Sequence, residues 1–270
     1  MNCVVHRRMY ALALALMFVG ATIWAQESKA QTPTLGERAA STLEALAILE
    51  RSTEFMSQVG AFHVVFDIGF NVVQRTGQKI EFGSTRSVTI SRPDRARIDF
   101  VRRDGVRGSV FYDGKDISIY SPDDNAYAQI ARPGGLHRAF RFLIDELNIP
   151  IPMSDFFAAN SFAVLTDQIE SASYVGESVV ADVTSDHLAF SNDEVDFQLW
   201  IAQGERPLLQ RVVITYRLAL GEPQFWGQVR TWDLAPETPQ SLFTFTPPDG
   251  AEQIPFASQI SLDVQEGEDQ

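Results

Sequence analysis

The spacing of apolar residues shifts along the chain, and each shift marks an element. Leu35, Ala39, Leu43, Leu46, Leu49 and Met56 recur at helical intervals, with Glu37, Arg38, Glu50 and Arg51 between them. This pattern predicts an amphipathic helix that Gly60 ends. The period then falls to two. In "FHVVFDIGFNVV" the even positions Phe62, Val64, Phe66, Ile68, Phe70 and Val72 are apolar, whereas His63, Asp67, Gly69 and Asn71 are odd. Such alternation predicts a strand with one face in a core and one in water. "RTGQ" supplies a turn before a strand from Ile80 to Ile90, in which Phe82 and Val88 share the even face. In "RARIDF", Ala96, Ile98 and Phe100 oppose Arg95, Arg97 and Asp99. Asp113-Gly114 closes a further hairpin, and a turn from Ser121 to Asn125 leads into another strand. No crossover helix separates these strands, so the arrangement predicted is an antiparallel meander.

Helical spacing returns after Pro133, with Leu136, Phe140, Leu143 and Leu147 on one stripe. "IPIPMSDFFAAN" adds a proline-punctuated corner and a short helix capped by Ser154 that carries Phe156 and Phe157. Strands then resume. Ser173–Val180 is expected to pair with Val183–Phe190, and Val195–Ile201 with Leu208–Leu218; Phe225–Leu234 follows. Leu242–Thr246 is expected to end the sheet before Pro247-Pro248. The apolar strand faces need a cover, and the N-terminal helix and segment 134–160 are the ones available. A curved sheet around a few helices either packs solid or leaves an apolar hollow, and the pattern leaves both open.

The first 30 residues read differently. His6, Arg7 and Arg8 precede an apolar run from Met9 to Ala25, followed by the small-residue sites Ala25 and Ala30. This is the composition of a secretory signal peptide, expected to be cleaved after Ala25 or Ala30; an uncleaved membrane anchor is the alternative. Cys3, the single cysteine, lies ahead of the apolar run, so a lipoprotein is not expected. Without residues 1–30 no thiol remains, which excludes disulfides, thiolate nucleophiles and Cys-bound zinc. Residues 31–260 are read as a single domain and 261–270 as an acidic tail. The 270-residue chain carries a net charge of −13. Residues 1–30 hold Arg7, Arg8 and Lys29 against Glu27, a net +2, so the remainder stands at about −15. Phosphates are repelled overall, so nucleic acid is not an expected partner.

Candidate chemistry concentrates in "SDHLAFSNDEVDFQLWI", where His187 follows Asp186 and precedes Asp193, Glu194 and Asp196. Neighbours on a strand point to opposite faces, so Asp186 and His187 are not expected to ligate one ion. A polar strand face is expected here, with no metal site and no catalytic residues. No G-x-S-x-G and no glycine-rich phosphate loop occur, and no cofactor is expected. The arginines Arg92, Arg95, Arg97, Arg102, Arg103 and Arg107 are interleaved with Asp94, Asp99 and Asp104, as on a solvated strand face with ion pairs.

The stretches "SRPDRARIDF", "DGKDISIYSPDDNAY" and "FTFTPPDGAEQI", with the helical insertion between the last two, resemble the periplasmic lipoprotein-carrier superfamily typified by LolA and LolB. Together with "HLAFSNDEVDFQLWI" and "PQFWGQVRTWDL", the whole chain from about residue 40 to 256 looks like a family of predicted periplasmic proteins of unknown function within that superfamily. The resemblance implies a mainly β fold: an open, incomplete antiparallel barrel around a few helices, with a cavity for acyl chains. It also implies a latch role for Arg92, in an Arg-Pro pair that holds a helical lid. On this basis the expected cavity residues are Val64, Phe66, Ile68, Phe70, Ile80, Phe82, Val88, Ile90, Ile98 and Phe100. The expected lid residues are Phe140, Leu143, Leu147, Phe156 and Phe157. The function expected is non-catalytic periplasmic binding or carriage of an acyl-bearing ligand, a lipid or an acylated protein. The alternatives are an envelope-sensing module with a protein partner and, third, a hydrolase around His187.

Overall fold

Thr34 starts the first helix with a reciprocal cap: its hydroxyl accepts from the Glu37 amide, and the Glu37 carboxylate accepts from the Thr34 amide at 2.7 Å. The computed structural model describes residues 34–146, 154–158 and 160–256. The expected signal peptide, Leu147 and the acidic tail lie outside the described residues.

Helix α1 spans Leu35–Gln58. Its buried stripe is Ala45, Ile48, Leu49, Ser52, Thr53 and Met56, a strict three–four spacing that begins later than the apolar residues suggest. Leu35 and Leu43, expected on that stripe, are 85% and 70% exposed. The helix instead turns Ser41 and Thr42 inward. Six antiparallel strands follow: β1 (Ala61–Val73), β2 (Lys79–Ser91), β3 (Arg95–Arg102), β4 (Arg107–Tyr112), β5 (Asp116–Ser121) and β6 (Ala126–Ala131). Three short helices interrupt them: α2 (Leu136–Asp145), α3 (Ser154–Phe157) and α4 (Ser161–Thr166). The strands resume as β7 (Ser171–Val180), β8 (Val183–Ser191), β9 (Val195–Ala202), β10 (Leu209–Tyr216) and β11 (Gln224–Asp233).

The strands form one 12-stranded sheet in the order β12-β6-β5-β4-β3-β2-β1-β11-β10-β9-β8-β7, where β12 is Glu252–Gln253. Among the described residues the two end strands do not pair, so the barrel is open. Strand β1 joins the halves, pairing with β2 along its full length and with β11 on the other side. The even residues of β1, Phe62, Val64, Phe66 and Ile68, are buried with Val88, Ile90, Ala96 and Ile98 from β2 and β3. Leu188, Phe190, Leu199 and Ile201 continue this core into the second half. Edge strand β7 is shielded by α1. The Thr42 hydroxyl donates to the Ala172 carbonyl at 2.8 Å, and Ser41 bonds both backbone groups of Tyr174.

The strand expected at Leu242–Thr246 is absent. That segment holds a helical turn, α5 (Gln240–Phe243), and the sheet ends instead on β12, which lies parallel to β6. The alternating phenylalanines serve separate purposes. Phe243 is fully buried with the Arg95 guanidinium 5.2 Å above its ring, whereas Phe245 packs on Phe111, Tyr120 and Tyr127. Those three rings belong to the outer face of β4–β6, so the C-terminal segment covers that face rather than extending the sheet.

Candidate functional site

Strand pairing arranges the inner face of β1–β4 in rows. The first row, Phe62–Ile90–Ala96–Tyr112, and the second, Val64–Val88–Ile98–Val110, are buried throughout. The third row is Phe66–Arg86–Phe100–Gly108, and beyond it lie Ser84, Arg102, Phe70 and Phe82. Packing fails at the third row because it contains a glycine and a charged residue, with a serine one row above. A hollow of about 580 Å³ results, lined by Phe82, Ser84, Arg86, Ile98, Phe100 and Val110 and closed by Leu143 of α2. The end of the Phe100 ring lies against Gly108: a Cβ at that position would sit 2.3 Å from it. Gly108→Ala should therefore tip Phe100 into the hollow. We expect at least a fivefold loss of affinity for an acyl probe, with a melting temperature within a few degrees of wild type. Unchanged probe affinity would show that the Phe100 wall does not bound the binding space.

The mouth of the hollow is apolar and framed by ion pairs. Phe70 and Phe82 stack at 6.1 Å and are 43% and 44% exposed. Arg102 pairs with Asp104 at 2.5 Å and Arg103 with Glu81 at 2.6 Å. Deeper in, Arg86 lines the hollow and is largely enclosed by protein. Burial pushes its guanidinium down to about 10, so it stays charged at neutral pH. Its Nε lies 3.5 Å from the Ser84 hydroxyl.

A second hollow, of about 550 Å³, surrounds Arg92 and is lined by Ile90, Leu136, Phe140, Phe157 and Val164. Arg92 follows Ser91 at the end of β2. Its Nε donates to the Val59 carbonyl at 3.1 Å and its Nη2 to the Phe157 carbonyl at 2.8 Å. Its own amide donates to the Gly60 carbonyl at 2.8 Å, and the next carbonyl, of Pro93, accepts from the Leu136 amide at 3.1 Å. One dipeptide thus touches the end of α1, the start of α2 and the end of α3. Burial lowers the pKa of the Arg92 guanidinium. Tyr112 fixes the approach to α2 through its hydroxyl, which lies 2.5 Å from the Gly134 carbonyl. Arg132 sits 4.1 Å over the Phe142 ring.

The residues expected to line a single cavity are divided between these places. Phe70, Phe82, Ile98, Phe100 and Leu143 line the first hollow, and Ile90, Phe140 and Phe157 the second. Val64, Phe66, Ile68 and Val88 are buried in the core, and Ile80 is exposed on the rim. Phe156 faces a smaller hollow of about 220 Å³ beside Leu209 and Val212. The sequence contains a signal for Arg86, which is an even position of β2, but none for Val59 as an acceptor or for Gly108 as a bed for Phe100.

The His187 cluster is dispersed. His187 stacks on Trp200 at 4.2 Å and bonds Gln198 at 2.9 Å on the outer face. Asp186 is buried on the other face, where it accepts from Gln203 at 2.7 Å and from the Tyr174 hydroxyl at 3.3 Å. Asp196 pairs with Arg217 at 3.4 Å. Among the described residues no three His, Cys, Asp or Glu side chains come together as a metal site.

An open antiparallel barrel with a partly apolar hollow beneath a short helix defines the class of this molecule. Residues 45–257 match the model of a family described as predicted periplasmic protein (DUF2092), and the chain belongs to that family. No curated protein matches it. Similar solved structures include an uncharacterised conserved protein from Thermus thermophilus, at 12% identity and a TM-score of 0.44, covering 78% of this chain and 99% of that one. The Mycobacterium tuberculosis lipoprotein LppX is 16% identical, with a TM-score of 0.44 and coverages of 71% and 96%. Pseudomonas aeruginosa MucB, solved in complex with MucA, is 18% identical, with a TM-score of 0.41 and coverages of 75% and 61%. Among the described residues no helix is long and apolar enough to cross a membrane.

Proposed function

We propose that this protein is a non-catalytic periplasmic binder or carrier of an acyl-bearing ligand, a lipid or an acylated protein. In this account residues 1–30 are removed on export, and 31–260 act as one domain followed by the tail 261–270. The observation that carries the proposal is the 580 Å³ hollow at the third row of the inner face of β1–β4. Its volume falls within the roughly 300–1,000 Å³ typical of small-molecule sites. Its walls are largely aromatic and aliphatic, and each methylene buried there contributes about 0.8 kcal/mol. The exposed Phe70 and Phe82 give an acyl chain an apolar path inward. Arg92 acts as the latch, holding α3 and the end of α1 to the rim of the sheet.

The test is native mass spectrometry of protein purified from its own envelope fraction. A bound species with the mass of an acyl lipid is expected, displaced by added palmitate. A bare polypeptide that also fails to take up palmitate would contradict carriage.

A further inference from the structure

Large apolar side chains stand in water at the end of the sheet where the first hollow opens. Phe70 pairs with Phe82 and Val72 with Ile80 across the β1–β2 hairpin, and all four are exposed. Leu218 and Leu220, in the turn that joins β10 to β11, are 77% and 90% exposed. The two hairpins meet at their tips. The Lys79 ammonium donates to the Glu222 carbonyl at 3.0 Å, and the Asn71 side chain accepts from the Gln224 amide at 3.1 Å. Gly221 lies so close to Val73 that a Cβ there would sit 2.9 Å from its methyl carbon. Single exposed leucines are ordinary on a protein surface, but a group gathered at one end marks an interaction surface.

The exposure does not come from a slack loop. The Tyr216 amide donates to the Pro223 carbonyl at 3.1 Å, the Ala219 amide to the Tyr216 carbonyl at 3.3 Å and the Glu222 amide to the Ala219 carbonyl at 2.9 Å. The Arg217 amide ties the turn to the Glu194 carbonyl at 3.0 Å. The leucines are held out before a partner arrives, so docking them costs little ordering.

Charge decides the kind of partner. Arg75 and Lys79 flank the tip of the β1–β2 hairpin, and among the described residues neither forms an ion pair. Cations beside apolar side chains suit the head-group layer of an anionic bilayer, where long basic stems lie along apolar surface and their heads meet phosphate. Glu222, in the same turn, opposes this attraction. The chain's net charge of −13 also repels an anionic surface as a whole. Salt screens that repulsion beyond about 8 Å at physiological ionic strength, so at contact the hairpin tips dominate.

We propose that the joined tips of β1–β2 and β10–β11 dock on the surface of an anionic phospholipid bilayer. Leu218 and Leu220 enter the acyl layer, and Arg75 and Lys79 lie at the phosphates. The first hollow then opens onto the lipid, while the Arg92 contacts lie at the other end of β2. Docking does not depend on what the hollow holds, so it stands or falls apart from acyl binding.

The experiment is co-sedimentation of the protein, purified from its envelope fraction and given no acyl probe, with sucrose-loaded vesicles. One set mixes phosphatidylethanolamine with phosphatidylglycerol, and the other is phosphatidylcholine alone. The double variant Leu218→Ser, Leu220→Ser is expected to partition onto the mixed vesicles about tenfold or more weakly than wild type. Its melting temperature should not change, because both side chains already stand in water. Leu220→Phe should bind at least as well as wild type. Arg75→Gln should weaken binding about fivefold, and Glu222→Gln should strengthen it. Residues 1–30 are treated alike in every variant, so any binding through them is what survives the serine pair. Equal partition of wild type and the serine pair would overturn the docking. Failure of the wild type to bind the mixed vesicles would overturn it too, and would leave a protein as the partner of these leucines. Equal binding of the wild type to both vesicle sets would overturn the part given to Arg75 and Lys79.

Discussion

Arg92→Leu is expected to release a bound acyl probe at least tenfold faster than wild type and to lower stability by about 2 kcal/mol. Two bonds from a charged donor are lost, to Val59 and Phe157. Such bonds contribute roughly 1.5–3 kcal/mol each, and the relief of burying the guanidinium offsets part of that. Lysine should restore less than half of the effect, because an ammonium on a flexible stem lacks the fork that spans both carbonyls. The effect should also be flat between about pH 5 and 9. Burial depresses the folded pKa of the Arg92 guanidinium below its unfolded value. Stability linked to its proton rises only as pH climbs through the folded value toward the unfolded one. Stopped-flow release and amide exchange check the account together. Exchange should quicken in α3 and the last turn of α1 and stay unchanged in β1 and β2. Equal release rates and equal exchange would remove Arg92 from the latch.

Phe157→Ala is expected to cost about 3–4 kcal/mol, the range for a buried aromatic truncated in a core. The Phe157 ring lies 5.2 Å from Phe62 and 6.2 Å from Trp232, and these two rings are 5.7 Å apart. The three form one unit that ties α3 to β1 and β11. Phe62→Ala should cost a similar amount, and the double variant less than the sum, because each single change already breaks the shared contact. Urea denaturation reads all three. A loss below about 1 kcal/mol for Phe157→Ala would mean that the site collapses around the gap and that α3 is held by other contacts.

How much of this was legible in the sequence depends on which physical rule governed each residue. Strand parity is a local property, so Phe62, Val64, Phe66 and Ile68 could be placed inward from alternation alone, and they are buried. The same rule set Asp186 and His187 on opposite faces. The helix stripe of α1 was misplaced because Ser52 and Thr53 are buried through hydrogen bonds rather than hydrophobicity. The Ser52 hydroxyl donates to the Pro207 carbonyl at 2.5 Å, and Thr53 to the carbonyls of Leu49 and Glu50. Leu43, one face over, is left in water. "LFTFTPP" alternates as a strand does, yet Phe243 and Phe245 pack on different partners, a tertiary choice that local pattern does not encode. Arg86 was visible by parity and masked by its charge, since a polar residue on an apolar face is read as noise until the hollow beside it is seen. The number of hollows was not legible at all. It depends on Gly108 and Ser84 meeting Phe100 and Leu143 in space, and these come from separate elements.

The most direct test of the central claim is methyl NMR of the protein with a spin-labelled stearate. The nitroxide broadens nearby methyl signals, so the bound chain reports its own position. Signals of Ile98, Val110 and Leu143 around the first hollow should be bleached at one equivalent of ligand, while Leu188 and Ile201 in the second half of the barrel remain sharp. Bleaching that spares Ile98, Val110 and Leu143, or no bleaching at one equivalent, would contradict an acyl-binding hollow beneath α2.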